Sequence, residues 1–366
     1  MRFRAAAETF FISAAALLAA LAVFGLFVAL RGLDPFQVYA VVVRASFGSW
    51  FAAEQTLTQA APLMLTALCT AIPARAGLLV IGGEGALVVG GVAAVLAGVA
   101  MAGAPAVLGI ALTLGSGAAA GAAWIAAAGA LRHWRGVNET IATLLMNYIA
   151  IALMNHLVSG PMRDFAQTLK PSSWSIDERF RLGEIPGTGI HWGLAFGVAA
   201  ALIAYVLMRR TTFGFGVDIL GGNPRAARLA GLPVGAMVLA TCGLGGAAAG
   251  LAGGIEIVAV HGFASASLVV GYGYTGILAA FLARQHPLSV IAVAILLGAI
   301  TASGGVLQRR FGLPDAATVV LQGLLFVSVL AGNTLYRLRG APRVSRGATS
   351  VGGIGGPSRA PHAGQS

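Results

Sequence analysis

Apolar residues run in blocks of about twenty along nearly the whole chain, separated by short polar breaks. A helix rises about 1.5 Å per residue, so a block of that length is what crossing a hydrocarbon core of about 30 Å requires. Blocks at 10–30, 56–74, 79–101, 105–130, 139–159, 191–208, 234–256, 268–283, 287–304 and 314–334 predict an all-α polytopic membrane protein with about ten transmembrane helices. Two blocks are unusual: 79–101 begins in a Gly-rich stretch, and 268–283 is short. Two polar connections stand out. One, 160–190, carries Asp164, Lys170, Asp177, Glu178, Arg179 and Glu184; the other, 209–233, reads RRTTFGFGVDILGGNPRAARLAGLP. Pro224 followed by good helix formers predicts a short surface helix within the second. A membrane domain is thus expected over 1–339. The Gly-, Ser-, Pro- and Arg-rich stretch 340–366 lacks apolar periodicity and is expected to be a disordered tail.

Composition agrees with that pattern. Hydrophobic residues make up 58% of the 366 and charged residues only 10%, with a mean hydropathy of +0.86. A water-soluble domain carries about 25% charged residues to cover its surface, so a soluble fold is excluded. The net charge of +11 comes from bases scattered singly between apolar runs, with no basic face to track phosphates, so nucleic acid is not an expected partner. The charges speak instead to topology. With ten spans and a cytoplasmic N-terminus, 15 of the 23 Arg and Lys fall inside, the bias that the positive-inside rule requires. Both termini are therefore expected in the cytoplasm, 160–190 outside and 209–233 inside. The first apolar run, about 20 residues after Arg2 and Arg4, exceeds the 7–15 of a cleaved signal and reads as a retained helix. Cys69 and Cys242 both lie in apolar runs and read as packing residues.

Chemistry of its own is hard to find in the chain. A phosphate-binding G-x-x-x-x-G-K-[ST] loop needs a lysine, and the single one, Lys170, lies in no such context. No metal-ligand spacing and no nucleophile–base set appears, so neither a metal nor a cofactor is expected and the chain is not read as an enzyme. Glu84 sits in Gly82-Gly83-Glu84-Gly85, where repeated glycines point either to a broken, cavity-lining segment or to an interfacial charge at a helix start. Glu139 reads as an N-terminal charge with Asn138 as cap. Glu256 is a carboxylate at a span end, a functional candidate that could equally reach water. Asn147 and Gln322 lie within spans, where amides serve interhelical hydrogen bonds as readily as ligands. Tyr272 and Tyr274 could stack on a flat solute or anchor an interface. Glu84, Asn147, Glu256, Tyr272 and Tyr274 are the candidate lining of a translocation path. Gly117-xxx-Gly121 and Gly246-xxx-Gly250-xxx-Gly254 predict close helix packing. AGLLVIGGEGAL and VVGYGYTGILAA are similar Gly-interrupted segments that the topology sets in opposite orientations, as an inverted repeat would.

At these same segments the chain resembles the permease subunits of bacterial ABC importers of the branched-chain amino acid/simple-sugar superfamily, and within it the nucleoside and simple-sugar branch. The resemblance lies in GLLVIGGEG (77–85), NETIATLLMNYIA (138–150), TTFGFGVDILGGNPRAARLAGL (211–232), AGLAGGIEIVAVHG (249–262), GYGYTGILAAFLARQHPL (271–288) and LPDAATVVLQGL (313–324). It implies a multi-pass subunit of the bacterial inner membrane that pairs with a second permease, the same chain or a related one. It also implies a cytoplasmic ATPase that supplies the energy and an extracytoplasmic binding protein that delivers a nucleoside or simple sugar. Gly222, Asn223, Pro224, Ala226 and Ala227 would then touch the ATPase. The chain departs from the usual pattern at Leu79 and Val80, at Ala86, and at Asp218 and Ile219, where an Arg-Ala pair is common. The alternative from another mechanistic class is an ion-coupled secondary carrier, which needs an essential intramembrane carboxylate; Glu256 is its candidate.

Overall fold

In the computed structural model, residues 2–166, 170–314 and 316–340 are described; the expected tail beyond Gly340 lies outside them. Thirteen α-helices occur among the described residues: α1 (Arg2–Leu30), α2 (Pro35–Phe47), α3 (Trp50–Arg75), α4 (Gly83–Ala100), α5 (Ala106–Arg135), α6 (Glu139–Ser159), α7 (Gly193–Arg210), α8 (Thr212–Gly222), α9 (Pro224–Leu229), α10 (Val234–Ile255), α11 (Tyr272–Leu282), α12 (Pro287–Phe311) and α13 (Ala316–Gly340). Extended backbone pairs there only as isolated bridges.

The all-α membrane architecture holds, and each expected block coincides with a helix. Of the about ten expected spans, seven or eight pass as full crossings by length and composition among the described residues, and Ala266–Leu282 and Ala316–Gly332 are shorter apolar stretches. Seven helices, α3 to α7, α10 with its continuation to His261, and α12, are long and apolar enough to cross a membrane; α1 and α2 add an eighth crossing if that bent pair is one span. Within 79–101 the helix starts only at Gly83, and 268–283 yields the 11-residue α11. At 1.5 Å per residue α11 is about 16 Å long, half of a hydrocarbon core.

The helix α2 has no counterpart in the hydrophobic blocks. Asp34 caps it by accepting from the Phe36 N–H at 2.9 Å, and Pro35 takes the first position, where no N–H is missed. The chain turns by 115° between α1 and α2. Ser46 on α2 then donates to the Ala299 carbonyl of α12 at 2.7 Å, and Thr56 on α3 donates to the Ser46 carbonyl at 3.0 Å.

Burial separates the centre from the rim. In α3, 78% of the apolar window is buried and in α4 67%, against 28% in each of α5, α6 and α7. The centre is therefore α3 and α4, with α10 beside them. Close backbone approach makes this possible. Gly117 and Gly121 of α5 face Gly246 and Gly250 of α10, and a methyl group on Gly121 or Gly250 would strike the opposing backbone. The small-residue faces expected from sequence thus pack against each other, where van der Waals contact must supply the cohesion that water would otherwise drive.

Hydrogen bonds define two ends of the bundle. At one, the 160–192 connection folds down on the top of α10: Leu182 N–H donates to Val258 at 2.8 Å, Ile176 N–H to Gly262 at 2.9 Å and Ser173 N–H to Ala264 at 2.9 Å. Here α10 continues as a π-helical turn, Glu256–His261, which ends at Gly262 with φ 78°. The other end holds Arg75, α8 and α9.

Candidate functional site

The centre of the bundle is a junction between two helix starts. After Arg75 the chain leaves α3, runs without helix through residues 78–82 and re-enters as α4; after His261 it runs through 262–271 and re-enters as α11. The first residues of α4 and α11 meet, with the Cβ position of Gly83 only 3.5 Å from Gly273 Cα. Two helix N-termini, each with positive dipole character and unpaired N–H groups, would repel across this contact. Glu84 resolves it. Its carboxylate is fully buried and accepts from the Gly271 N–H at 2.9 Å and the Gly273 N–H at 2.6 Å.

The unwound stretch 79–82 must also find partners, since lipid offers none. One face of α6 supplies most of them. Glu139 accepts from the Leu79 N–H at 3.2 Å and Thr140 donates to the Leu79 carbonyl at 3.0 Å. Thr143 accepts from the Ile81 N–H at 3.1 Å. Asn147 donates to the Ile81 carbonyl at 3.0 Å and accepts from the Gly85 N–H at 2.8 Å. From α3, Thr70 donates to the Val80 carbonyl at 3.0 Å. Glu139, Thr143 and Asn147 recur every four residues, the spacing that lines one helix face. Glu139 is therefore more than a terminal charge: it is buried, lies 3.4 Å from Arg132 and pins the broken segment. That ladder, with Thr70, escaped the sequence reading although its spacing was visible.

The aromatic pair divides. Tyr272 is buried, donates its hydroxyl to Gln59 of α3 at 2.5 Å, and its carbonyl accepts from Thr66 at 3.0 Å. Tyr274 is 37% exposed and reaches the Asn147 side chain. Glu256 opens the π-helical turn, 4% exposed, with an oxygen 3.7 Å from His261 Nε2. Glu84, Asn147, Tyr272 and Tyr274 thus converge on one junction, where Glu84 and Asn147 hold backbone. Gln322 on α13 bonds between helices as expected, donating to Thr301 of α12 at 2.9 Å.

At the Arg75 end, Asn223 caps α9 through its Oδ1, which accepts from Arg225 and Ala226 N–H at 2.9 and 3.2 Å, and Pro224 takes the first helical position. Gly222, Asn223, Pro224 and Ala226 are exposed, together with Leu229 at 91% and Phe215 at 70%; Ala227 is turned inward at 0%. Sequence reading missed what fastens this surface to the bundle. Arg75, at the foot of α3, forms a two-pronged ion pair with Asp218 of α8 at 2.6 Å and donates to the Met208 carbonyl of α7 at 3.1 Å. A Cβ on Gly77 would lie 3.4 Å from the Gly221 carbonyl oxygen, so the two backbones run close together. Asp218, a departure from the family pattern, has its own cation here.

Comparison with known proteins converges on the same answer. A family model described as "Branched-chain amino acid transport system / permease component" matches residues 52–330. The chain is 33% identical over 333 residues to the glucose ABC transporter permease protein TsgB13 of Haloferax volcanii, covering 88% of this chain and 87% of that protein. It is 29% identical over 328 residues to the guanosine ABC transporter permease protein NupP of Bacillus subtilis, covering 89% and 94%. The nucleoside ABC transporter permease protein NupB of Lactococcus lactis is 26% identical over 304 residues, covering 81% and 84%. With multiple apolar helices and this match across most of its length, the chain belongs to the branched-chain amino acid transport system permease family, as a multi-pass inner-membrane permease subunit of an ABC importer.

Proposed function

We propose that the chain forms the translocation path for a small polar solute, a nucleoside or simple sugar, with a cytoplasmic ATPase docked on α8 and α9 and an extracytoplasmic binding protein at the opposite end. A second permease, the same chain or a related one, completes the path. Both termini and α8–α9 are cytoplasmic in this reading, and the 160–190 connection is periplasmic. The observation that carries it is the exposed α8–α9 surface, apolar at Phe215 and Leu229 and fastened by Arg75 to the most buried helix of the bundle. A docked ATPase that moves α8 would thereby pull on the foot of α3, and the broken segment leading to Glu84 starts directly after it. The glucose and guanosine of the relatives' names support this solute class.

The test is reconstitution. The purified permease alone in liposomes is expected to show no uptake driven by a proton or sodium gradient. Adding the ATPase and the binding protein is expected to give ATP-dependent uptake of glucose or guanosine. Gradient-driven uptake by the single chain would overturn the reading.

A further inference from the structure

Two helices at the rim of the bundle present different faces to their surroundings. The outward residues of α7 include Phe196, Ala199, Leu202, Ile203 and Val206, all apolar, as contact with lipid requires. Helix α6 exposes Leu144, Leu145 and Ile149 in the same way, but Tyr148 stands among them at 62% exposure. Tyr148 lies near the middle of α6, about 14 Å from its start. Its phenol is therefore at half depth, away from the membrane–water boundary where tyrosine serves as an anchor. The hydroxyl forms no hydrogen bond among the described residues. Facing hydrocarbon, that donor would stay unpaired at a cost.

Open backbone lies on the same side. Leu79, in the unwound stretch 78–82, is 36% exposed, and Ile81 is half-buried. Tyr274 of α11, 37% exposed, neighbours Tyr148. Non-helical backbone at membrane depth persists only where protein covers it or where it lines a water-filled cavity. Two independent features, a free hydroxyl at half depth and a broken helix, thus exclude lipid as the sole cover of the side formed by α6, the 78–82 stretch and the start of α11. What covers it must lie within the membrane. In the proposed importer the ATPase and the binding protein act at the two ends of the bundle, which leaves the second permease. A related subunit brings an equivalent α6, so a two-fold contact sets the polar position of one against that of the other.

We propose that the side of the bundle carrying Leu79, Tyr148 and Tyr274 is the seam against the second permease, with the Tyr148 hydroxyl paired to a polar group of that subunit. The seam rests on the two-permease reading given above and adds which face the partner takes. Photo-crosslinking of the assembled transporter in lipid nanodiscs tests it, with p-benzoylphenylalanine placed either at position 148 or at position 203 of α7, and with adducts identified by peptide mass spectrometry. Position 148 is expected to join a permease chain, and position 203 to give lipid adducts alone. A second variant is independent of the label. Ala152 is exposed one turn beyond Tyr148, on the same face. Extra apolar bulk there is harmless in lipid but overpacks a seam, so Ala152→Trp should lower the two-permease fraction in native mass spectrometry about tenfold. Ala199→Trp, on the outward face of α7, should leave that fraction within about twofold. Lipid adducts alone at position 148, or a two-permease fraction unchanged by Ala152→Trp, overturns the seam. So does equal joining to a permease from positions 148 and 203. ATP-driven uptake and the native mass of the wild-type complex separate this from the reading beneath it. An active complex with two permeases whose position 148 captures only lipid removes the seam and leaves the two-permease importer standing; an active complex with one permease removes both.

Discussion

Glu84 offers the sharpest test of how this bundle is held together. Its two oxygens each accept one backbone N–H of the α11 start, at 2.9 and 2.6 Å, from a fully buried position. A hydrogen bond to a charged group contributes about 1.5–3 kcal/mol, and a buried donor left unpaired costs a similar amount. Glu84→Ala removes both acceptors and is expected to destabilise the protein by roughly 3–6 kcal/mol. Polar contacts between helices in bilayers average nearer 0.6 kcal/mol, which sets a floor of about 1 kcal/mol for the pair. Glu84→Gln keeps one acceptor but turns an NH₂ toward the other N–H, so about half of the Ala effect is expected. The protein carries its own reporters: Cys69 and Cys242 are free and fully buried, so a thiol-reactive fluorogenic dye reads unfolding directly. The melting temperature should fall in the order wild type, Glu84→Gln, Glu84→Ala. A carboxylate that served instead to bind solute or a coupling ion would behave differently. Its replacement by Gln would abolish transport and leave the melting temperature unchanged, and that result would refute the structural role.

Other consequences can be read on the same reconstituted system. Asp218→Ala removes the Arg75 pair, and because Asp218 is 48% exposed the stability change should stay below about 1 kcal/mol; ATP-driven uptake should nonetheless fall several-fold. Arg75→Ala should impair uptake further, since it also frees the Met208 carbonyl. Asn223→Ala should loosen α9 by about 1 kcal/mol and reduce uptake, while Asn223→Asp, which still caps, should leave both near wild type; equal uptake by the two variants would count against docking on α9. Gly222→Ala meets open space and should leave the melting temperature within about 0.5 kcal/mol of wild type, whereas Gly121→Leu collides with α10 and should give no monodisperse peak in size-exclusion chromatography.

Hydropathy carried most of the architecture, because a backbone in lipid must satisfy itself and continuous apolar runs of about twenty residues do so as helices. It failed where helices are short or broken. Thirteen-residue α2 is too brief to register as a span, and its place is set by Ser46 reaching α12 more than 250 positions along the chain. Gly82, Gly83 and Gly85 fall where the unwound stretch passes into α4, but nothing in that window says that α6 would bond it or that Glu84 would cap α11. Those partners lie 60 to 189 residues away and are joined only by folding. The spacing of Glu139, Thr143 and Asn147 was legible as one polar face; what it faced was not. Asp218 read as a departure from the family pattern because its cation, Arg75, sits in a different block of the sequence.

The junction also bears on the source of energy. An ion-coupled carrier needs an intramembrane carboxylate that is free to take up and release its ion within each cycle. Glu84 is the most buried carboxylate among the described residues, and both of its oxygens are committed to backbone N–H groups of another helix. Releasing them would undo the meeting of α4 and α11, so ion exchange at Glu84 would compete with the fold itself. Glu139 is engaged by Leu79 and Arg132. Glu256, beside His261, is the carboxylate that the carrier alternative invoked. A force applied from outside needs no such carboxylate. It needs a surface to act on and a connection to the broken helices, the roles proposed above for α8–α9 and Arg75. Neutralising Glu256 therefore separates the two mechanisms: Glu256→Gln should leave the ATP dependence of uptake intact, and loss of all uptake with unchanged ATPase stimulation would return the carboxylate to the centre of the mechanism.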